Sequence, residues 1–313
     1  MNYIILLFYL VLFVIICDFM VRSLGVIMKT SRLSAIFFTL TVVSLGSSIP
    51  EIFISFSAIS RGETDIMAGI VTGSNMFNIM IILGICTLIK EIKLKRFVFV
   101  NEILFLNLSA LGLLGSLYSL TLGKHHGILM IASFILFFLL TFALQSNTKR
   151  RIGYVISLKR LPIIGDSFML NFLIFVLLLI TALYINFLIL SMLGQFSIPL
   201  FANQYLFSKY ILSIITSLPE IILCLLAIKR KFFDIILGTI LGSNIVNILL
   251  ITGLSSYISP QNIFNTFVFE DVLILGATGL VITVPMIISQ KISRWFGLLL
   301  FVIYFGIIFM DLK

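Results

Sequence analysis

The sequence is poor in charge and in the side chains that build most soluble catalytic centres. Only 11% of its 313 residues are Asp, Glu, Lys or Arg, where soluble domains average about 25%, so the chain cannot cover a water-facing globule. Three cysteines, Cys17, Cys86 and Cys224, sit inside apolar runs at no metal-ligand spacing, which excludes a disulfide framework and a cysteine-ligated zinc site and leaves free, buried thiols. The two histidines, His125 and His126, are neighbours in a predicted outer connection and read as solvated residues, not ligands. The first twenty residues lack a basic n-region and a small-residue cleavage site, so they read as a retained first span and not a signal peptide. The net charge of +9 does not mark a nucleic-acid partner, because the 21 Lys and Arg lie between apolar runs and form no basic face.

Hydrophobic residues make up 61% of the chain, and the mean hydropathy is +1.24. The class is therefore all-α integral membrane protein, with the lipid bilayer as its solvent. A hydrocarbon core of about 30 Å takes roughly 20 apolar residues as helix. Such runs lie near 3–21, 33–59, 66–89, 98–121, 127–145, 168–194, 203–228, 235–258, 270–289 and 295–311, predicting ten transmembrane helices. The connections after odd-numbered spans hold 17 of the 21 Lys and Arg; the other side keeps Arg61, Lys124, Lys209 and Lys313. Cytoplasmic loops carry the basic excess, so a multi-pass protein of the cell membrane is expected with both termini outside and 146–167 cytoplasmic.

An internal repeat organises the chain. Shifted by 169 residues, SLGSSIPEIFISFSAISRGETDIMAGIVTGSNMFNIMIILG (44–84) lies without a gap over SIITSLPEIILCLLAIKRKFFDIILGTILGSNIVNILLITG (213–253). Pro50 falls on Pro219, Glu51 on Glu220, Gly69 on Gly238, Gly73-Ser74-Asn75 on Gly242-Ser243-Asn244, and Asn78 on Asn247. The second copy starts five spans after the first, and an odd offset sets the copies in opposite orientations. The chain then divides into an N-terminal five-helix repeat (1–145, motif 44–84), a connection (146–167) and a C-terminal five-helix repeat (168–313, motif 213–253). Paired, proline-interrupted segments in inverted repeats point to a secondary transporter with its site at the repeat interface.

Within each copy the proline has no N–H for the carbonyl four residues earlier, which leaves Gly46 and Ile215 without that bond. Ser47 and Ser48 share a helical face with Glu51, and Thr216 and Ser217 with Glu220, while Ser74 with Asn78 and Ser243 with Asn247 are i, i+4 pairs. The glycine pairs Gly69/Gly73 and Gly238/Gly242 predict close approach of the helices that carry them. Carboxylates, hydroxyls, amides and carbonyls make an all-oxygen cage that suits Ca²⁺ or Na⁺ and offers a transition metal no thiolate or imidazole.

GSSIPE with GSNMFN, and TSLPE with GSNIVN, resemble the alpha repeats of the cation/calcium antiporter superfamily, in its sodium/calcium exchanger branch; the five-plus-five layout fits the whole chain. The resemblance implies Ca²⁺ bound between Glu51 and Glu220. It implies Na⁺ sharing those carboxylates with Ser47, Ser48, Ser74, Asn78, Thr216, Ser217 and Ser243 and with backbone carbonyls near Ser44 and Ser213. It also implies that spans one and six slide against the other eight to alternate access. No cofactor is implied; Ca²⁺ and Na⁺ are the substrates, and a monomer suffices. Two positions depart from the pattern: Asn247 stands where well-studied relatives have an aspartate, which argues against K⁺ dependence, and Ile215 stands where Gly46 matches the usual glycine.

Other readings weigh against this one. A proton-coupled Ca²⁺ antiporter on the same scaffold is the alternative, since neighbouring carboxylates raise one another's proton affinity; its relatives show a GN…E pattern in place of GSSIPE. A passive channel would use similar ligands, whereas inverted repeats favour alternating access. A hydrolase built on Ser47 or Ser48 lacks a membrane-embedded base to activate the serine, so no enzyme is expected. Outside the motifs, Asp18 and Arg22 are spaced for a local ion pair. Glu63, Asp65, Glu270 and Asp271 read as cation-attracting charges at the outer mouth or as solvated loop charges.

Overall fold

The computed structural model describes residues 2–30, 35–93, 100–118, 122–146, 167–193, 203–260, 266–288 and 291–313. The expected connection at 146–167 falls almost wholly outside them. The first helix, α1, covers Asn2–Thr30. A bent pair follows, α2 (Thr39–Ser47) and α3 (Ile49–Ser60), and then α4 (Thr64–Ile89), α5 (Val100–Tyr118) and α6 (Lys124–Ser146). The order repeats with α7 (Phe168–Leu193), the bent pair α8 (Gln204–Thr216) and α9 (Leu218–Arg230), α10 (Phe233–Ile258), α11 (Thr266–Ile288) and α12 (Arg294–Asp311). Among the described residues six helices are long and apolar enough to cross a membrane, or eight if each bent pair is one span. α1 runs on past the expected end at 21, because nothing after Arg22 breaks the helix before Thr30.

Burial separates two layers. α4 and α10 are 94% buried over their apolar windows, whereas α1, α6, α7 and α12 are only 22 to 28% buried. The central pair is rich in glycine, serine and asparagine, residues that let backbones approach and bond across helices. The outer helices turn Leu7, Phe8, Leu139, Leu177 and Phe309 outward, an apolar coat that suits hydrocarbon and not water. α1 packs along α7, and Ile92–Lys93 pairs antiparallel with Lys291–Ile292 to tie the two halves together.

Local irregularities recur at the 169-residue offset. The helices widen into π-type turns over Thr39–Val43 and Ser208–Leu212, and over Phe77–Ile82 and Val246–Ile251. Such bulges concentrate at functional sites. The chain leaves α3 through Gly62 (φ +77°) and α9 through Lys231 (φ +63°), one left-handed turn in both copies, which glycine adopts freely and which costs a lysine on the order of 1 kcal/mol. At the end of α9, Arg230 joins the expected Asp18–Arg22 pair: Arg22 reaches Asp18 at 2.7 Å and Arg230 bonds its other oxygen.

Candidate functional site

The two helix breaks face one another at the centre of the molecule. α2 and α3 meet at Ser48 with a bend of 49°, α8 and α9 at Ser217 with a bend of 46°. Ser48 (φ −84°, ψ 5°) and Ser217 (φ −84°, ψ 12°) leave helical geometry just before the residues that carry Pro50 and Pro219. Proline supplies no donor to the preceding turn, so carbonyl ends of α2 and α8 open toward the break. Glu51 and Glu220 occupy the first turns of α3 and α9, where the helix N-terminus favours a carboxylate.

All twelve sequence-predicted residues are buried: Ser44, Ser47, Ser48, Glu51, Ser74, Asn78, Ser213, Thr216, Ser217, Glu220, Ser243 and Asn247 are each no more than 1% exposed. The copies interlock. Ser217 Oγ donates to Glu51 Oε1 at 3.2 Å, Thr216 and Ser74 face the same carboxyl group, and Ser47 faces Glu220. Asn78 Nδ2 donates to Asn244 Oδ1 at 3.1 Å, which leaves the Asn78 amide oxygen pointing elsewhere.

Many of these groups have no protein partner. Both oxygens of Glu220, Oε2 of Glu51, the hydroxyls of Ser48 and Ser74, the amide oxygens of Asn75 and Asn78, and both amide atoms of Asn247 are buried without a hydrogen bond. Such groups cost on the order of 1–3 kcal/mol each, and more when charged, a cost that water or a cation at this place would offset. Apart from Ser217, whose proton goes to Glu51, the hydroxyls that do bond donate to backbone carbonyls: Ser47 to that of Ser44 at 3.3 Å, Thr216 to that of Ser213 at 3.1 Å, and Ser243 to that of Thr239. Their lone pairs are then available to a cation. The Ser44 and Ser213 carbonyls, expected as ligands, also accept the Ser48 and Ser217 N–H groups at 3.0 Å. The Ser44 hydroxyl itself turns away to the carbonyls of Thr39 and Gly238. The arrangement can hold hard cations between two carboxylates with neutral oxygens around them.

The expected close approach is built from the four glycines. A Cβ on Gly69 would strike Ser208 and one on Gly73 the Lys209 backbone, while Gly238 and Gly242 admit Thr39 and Ser44. Each widened turn of a broken helix thus seats on the glycine face of the other copy's central helix. Asn75 and Asn244 matched across the repeat, but their role required the structure: Asn244 orients Asn78 and donates to the Asn75 carbonyl at 3.3 Å.

Two charges are not where the sequence placed them. Lys209, counted with the charges of the outer side, lies inside α8 and is 1% exposed, and Asp271, expected as an outer-mouth or loop charge, is 2% exposed. They pair with each other at 2.7 Å, because each satisfies a charge the apolar surroundings would otherwise strand. Glu63 does match its expectation as a surface charge and pairs with Arg61 at 3.3 Å. His125 and His126 lie in the exposed first turn of α6, where His126 Nδ1 accepts the Gly123 N–H at 3.2 Å.

Comparison with known proteins bears on the fold and the family. The chain is 26% identical over 266 residues to Inner membrane protein YrbG of Escherichia coli (strain K12), covering 81% of this chain and 79% of that one. It is 28% identical over 362 aligned residues to Sodium/calcium exchanger MaX1 of Methanosarcina acetivorans, covering 97% and 96%. Its fold superposes on the sodium-calcium exchanger NCX_Mj, in a crystal soaked with 100 mM Na⁺ and 10 mM Sr²⁺, with a TM-score of 0.81 at 22% identity over 98% of both chains. The family described as Sodium/calcium exchanger protein matches residues 1–143 and 168–313. This multi-pass membrane protein therefore belongs to the sodium/calcium exchanger family and is a transporter, not an enzyme.

Proposed function

We propose that the chain exchanges Na⁺ for Ca²⁺ across the cell membrane by alternating access, as a monomer of ten membrane-spanning segments arranged as two inverted five-helix repeats, 1–145 and 168–313. Both termini lie outside and 146–167 is cytoplasmic. Ca²⁺ sits between Glu51 and Glu220. Na⁺ uses the same carboxylates with Ser47, Ser48, Ser74, Asn78, Thr216, Ser217, Ser243 and Asn247 and the Ser44 and Ser213 carbonyls. The observation that carries this reading is the knot of buried, unpartnered oxygens around the two glutamates, placed where matched breaks of two repeats meet. α1 and α7 pack against each other outside this centre, and their sliding exposes the site to either side in turn.

The coupling ratio follows from ligand count. Two ionised glutamates balance one Ca²⁺ or two Na⁺, so charge alone favours two-to-one exchange. Asn78, Asn247 and the matched hydroxyls add neutral ligands for a further Na⁺, which tips the reading to three Na⁺ per Ca²⁺. The test is ⁴⁵Ca²⁺ uptake into proteoliposomes under an imposed Na⁺ gradient, an imposed pH gradient, and fixed membrane voltages. Uptake driven by Na⁺, with a reversal voltage set by three-to-one coupling, is expected. Uptake driven by the pH gradient alone would replace Na⁺ with H⁺ as the coupling ion, and a reversal indifferent to voltage would establish electroneutral exchange.

A further inference from the structure

The buried lysine stands outside the ion cage yet is wired to it. Lys209 Nζ donates to Asp271 Oδ1 at 2.7 Å and to Asp311 Oδ2 at 2.5 Å. The Tyr205 hydroxyl donates to the other oxygen of Asp271 and the Tyr210 hydroxyl to Asp311 at 2.5 Å. Thr72 on α4 bonds the Tyr205 hydroxyl at 3.0 Å. One ammonium thus fastens α8 to α11 and α12, and the ring of Tyr210 lies 5.0 Å beneath it. Two carboxylates and two phenols around a single cation leave that side chain little freedom, since every polar atom that moves would lose a buried partner.

From the same residue a backbone relay runs to the cage. The Lys209 main chain lies against Gly73, and its carbonyl accepts the Ser213 hydroxyl. The Ser213 carbonyl in turn accepts Thr216 Oγ1 at 3.1 Å and the Ser217 N–H at 3.0 Å, and Ser217 Oγ ends on Glu51 at 3.2 Å. At the same offset Leu40 occupies the place of Lys209 and Phe142 that of Asp311, while Glu102 takes that of Asp271. Neutral ligands in the second copy are therefore held by a lysine whose counterpart in the first copy is a leucine.

We infer that Lys209 is a positioning residue for the neutral ligands of α8, and through them for the monovalent ion. This inference rests on the exchange reading above. A divalent ion is held mainly by the two carboxylates, which Lys209 does not touch. Na⁺, bound in greater number than the carboxylates can neutralise, depends more on where the Thr216 and Ser217 oxygens sit.

The experiment measures ²²Na⁺ and ⁴⁵Ca²⁺ binding to the purified full-length protein in detergent, with Lys209→Met, Lys209→Arg and Asp271→Asn. Loss of one well-placed neutral ligand should raise the half-saturating Na⁺ concentration of Lys209→Met about tenfold while Ca²⁺ shifts less than about twofold. Lys209→Arg, whose guanidinium bridges two carboxylates, should restore Na⁺ binding, and Asp271→Asn should show a smaller shift of the same sign. Equal shifts for both ions, no shift, or an arginine variant as impaired as the methionine variant would overturn the inference. If Lys209→Met does not purify as a monodisperse species, the arginine and Asp271→Asn variants decide by the same ion split. A wild type that binds ²²Na⁺ but does not couple it to Ca²⁺ flux overturns the exchange reading alone; one that binds no ²²Na⁺ overturns both.

Discussion

Glu51→Gln and Glu220→Gln are each expected to abolish Ca²⁺ exchange, with residual flux down at least about 100-fold. A unit charge about 4 Å from another is worth on the order of 4 kcal/mol at an effective dielectric of about 20, and losing a fraction of that from each Ca²⁺ contact already exceeds the roughly 2.7 kcal/mol of a hundredfold change. The substitutions are nearly isosteric. In Glu51→Gln the amide oxygen can still accept the Ser217 hydroxyl that now bonds Oε1, so the fold keeps its contact and loses only charge. Glu220 has no bonded oxygen to replace, and its variant should assemble at least as well. ⁴⁵Ca²⁺ flux in proteoliposomes, with size-exclusion profiles as the folding control, reads both. Near-normal exchange in either well-folded variant would defeat the central-site assignment.

The second large effect concerns packing. Gly73→Ala should destabilise the protein by about 3 kcal/mol or more, beyond the usual range for overpacking a well-filled site. The added methyl meets the backbone of Lys209, whose Cα stands 2.7 Å from the new atom, and no rotamer relieves a backbone clash. Intrinsic helix propensity pulls the other way, by about 1 kcal/mol in favour of alanine, so the sign is decided by the overlap. Gly242→Ala should cost less, because the first obstacle there is the Ser44 side chain, with the Leu40 carbonyl at 2.9 Å behind it. Gly115→Ala is the control. Nothing lies within 4 Å of its added atom, and the variant should be neutral or slightly stabilised. Thermal melting of the three variants in detergent should place Gly73→Ala lowest and Gly115→Ala highest; a Gly73→Ala protein that melts with the control would mean the helices are not held at glycine distance.

The membrane class, the repeat at 44–84 and 213–253, the proline breaks and the pair Glu51 and Glu220 were legible in the sequence. Each is a one-dimensional signal: hydropathy sums along the chain, proline removes its own N–H, and spacing of three or four residues fixes which side chains share a helix face. The glycine seats were legible too, since small residues four apart on a membrane helix mean contact whatever the partner. The identity of that partner was not: Gly73 meets Lys209 and Gly242 meets Ser44 across the two copies, a pairing no local pattern specifies. The same holds for which oxygens are left without partners. Ser74 and Ser243 are equivalent by sequence, yet the Ser74 hydroxyl has no partner and that of Ser243 bonds the Thr239 carbonyl.

Lys209 and Asp271 show the limit most clearly. Charge counting treats a lysine near a helix end as a reporter of membrane side, and it has no term for a counter-ion 62 or 102 residues away in sequence. Burying an ammonium is prohibitive when it is unpaired and tolerable when two carboxylates surround it. Which case applies depends on how α8, α11 and α12 come together. The amino acids determined that this chain would enter a membrane and present two glutamates at two breaks; the packing of distant helices determined which polar atoms satisfy one another and which keep no protein partner.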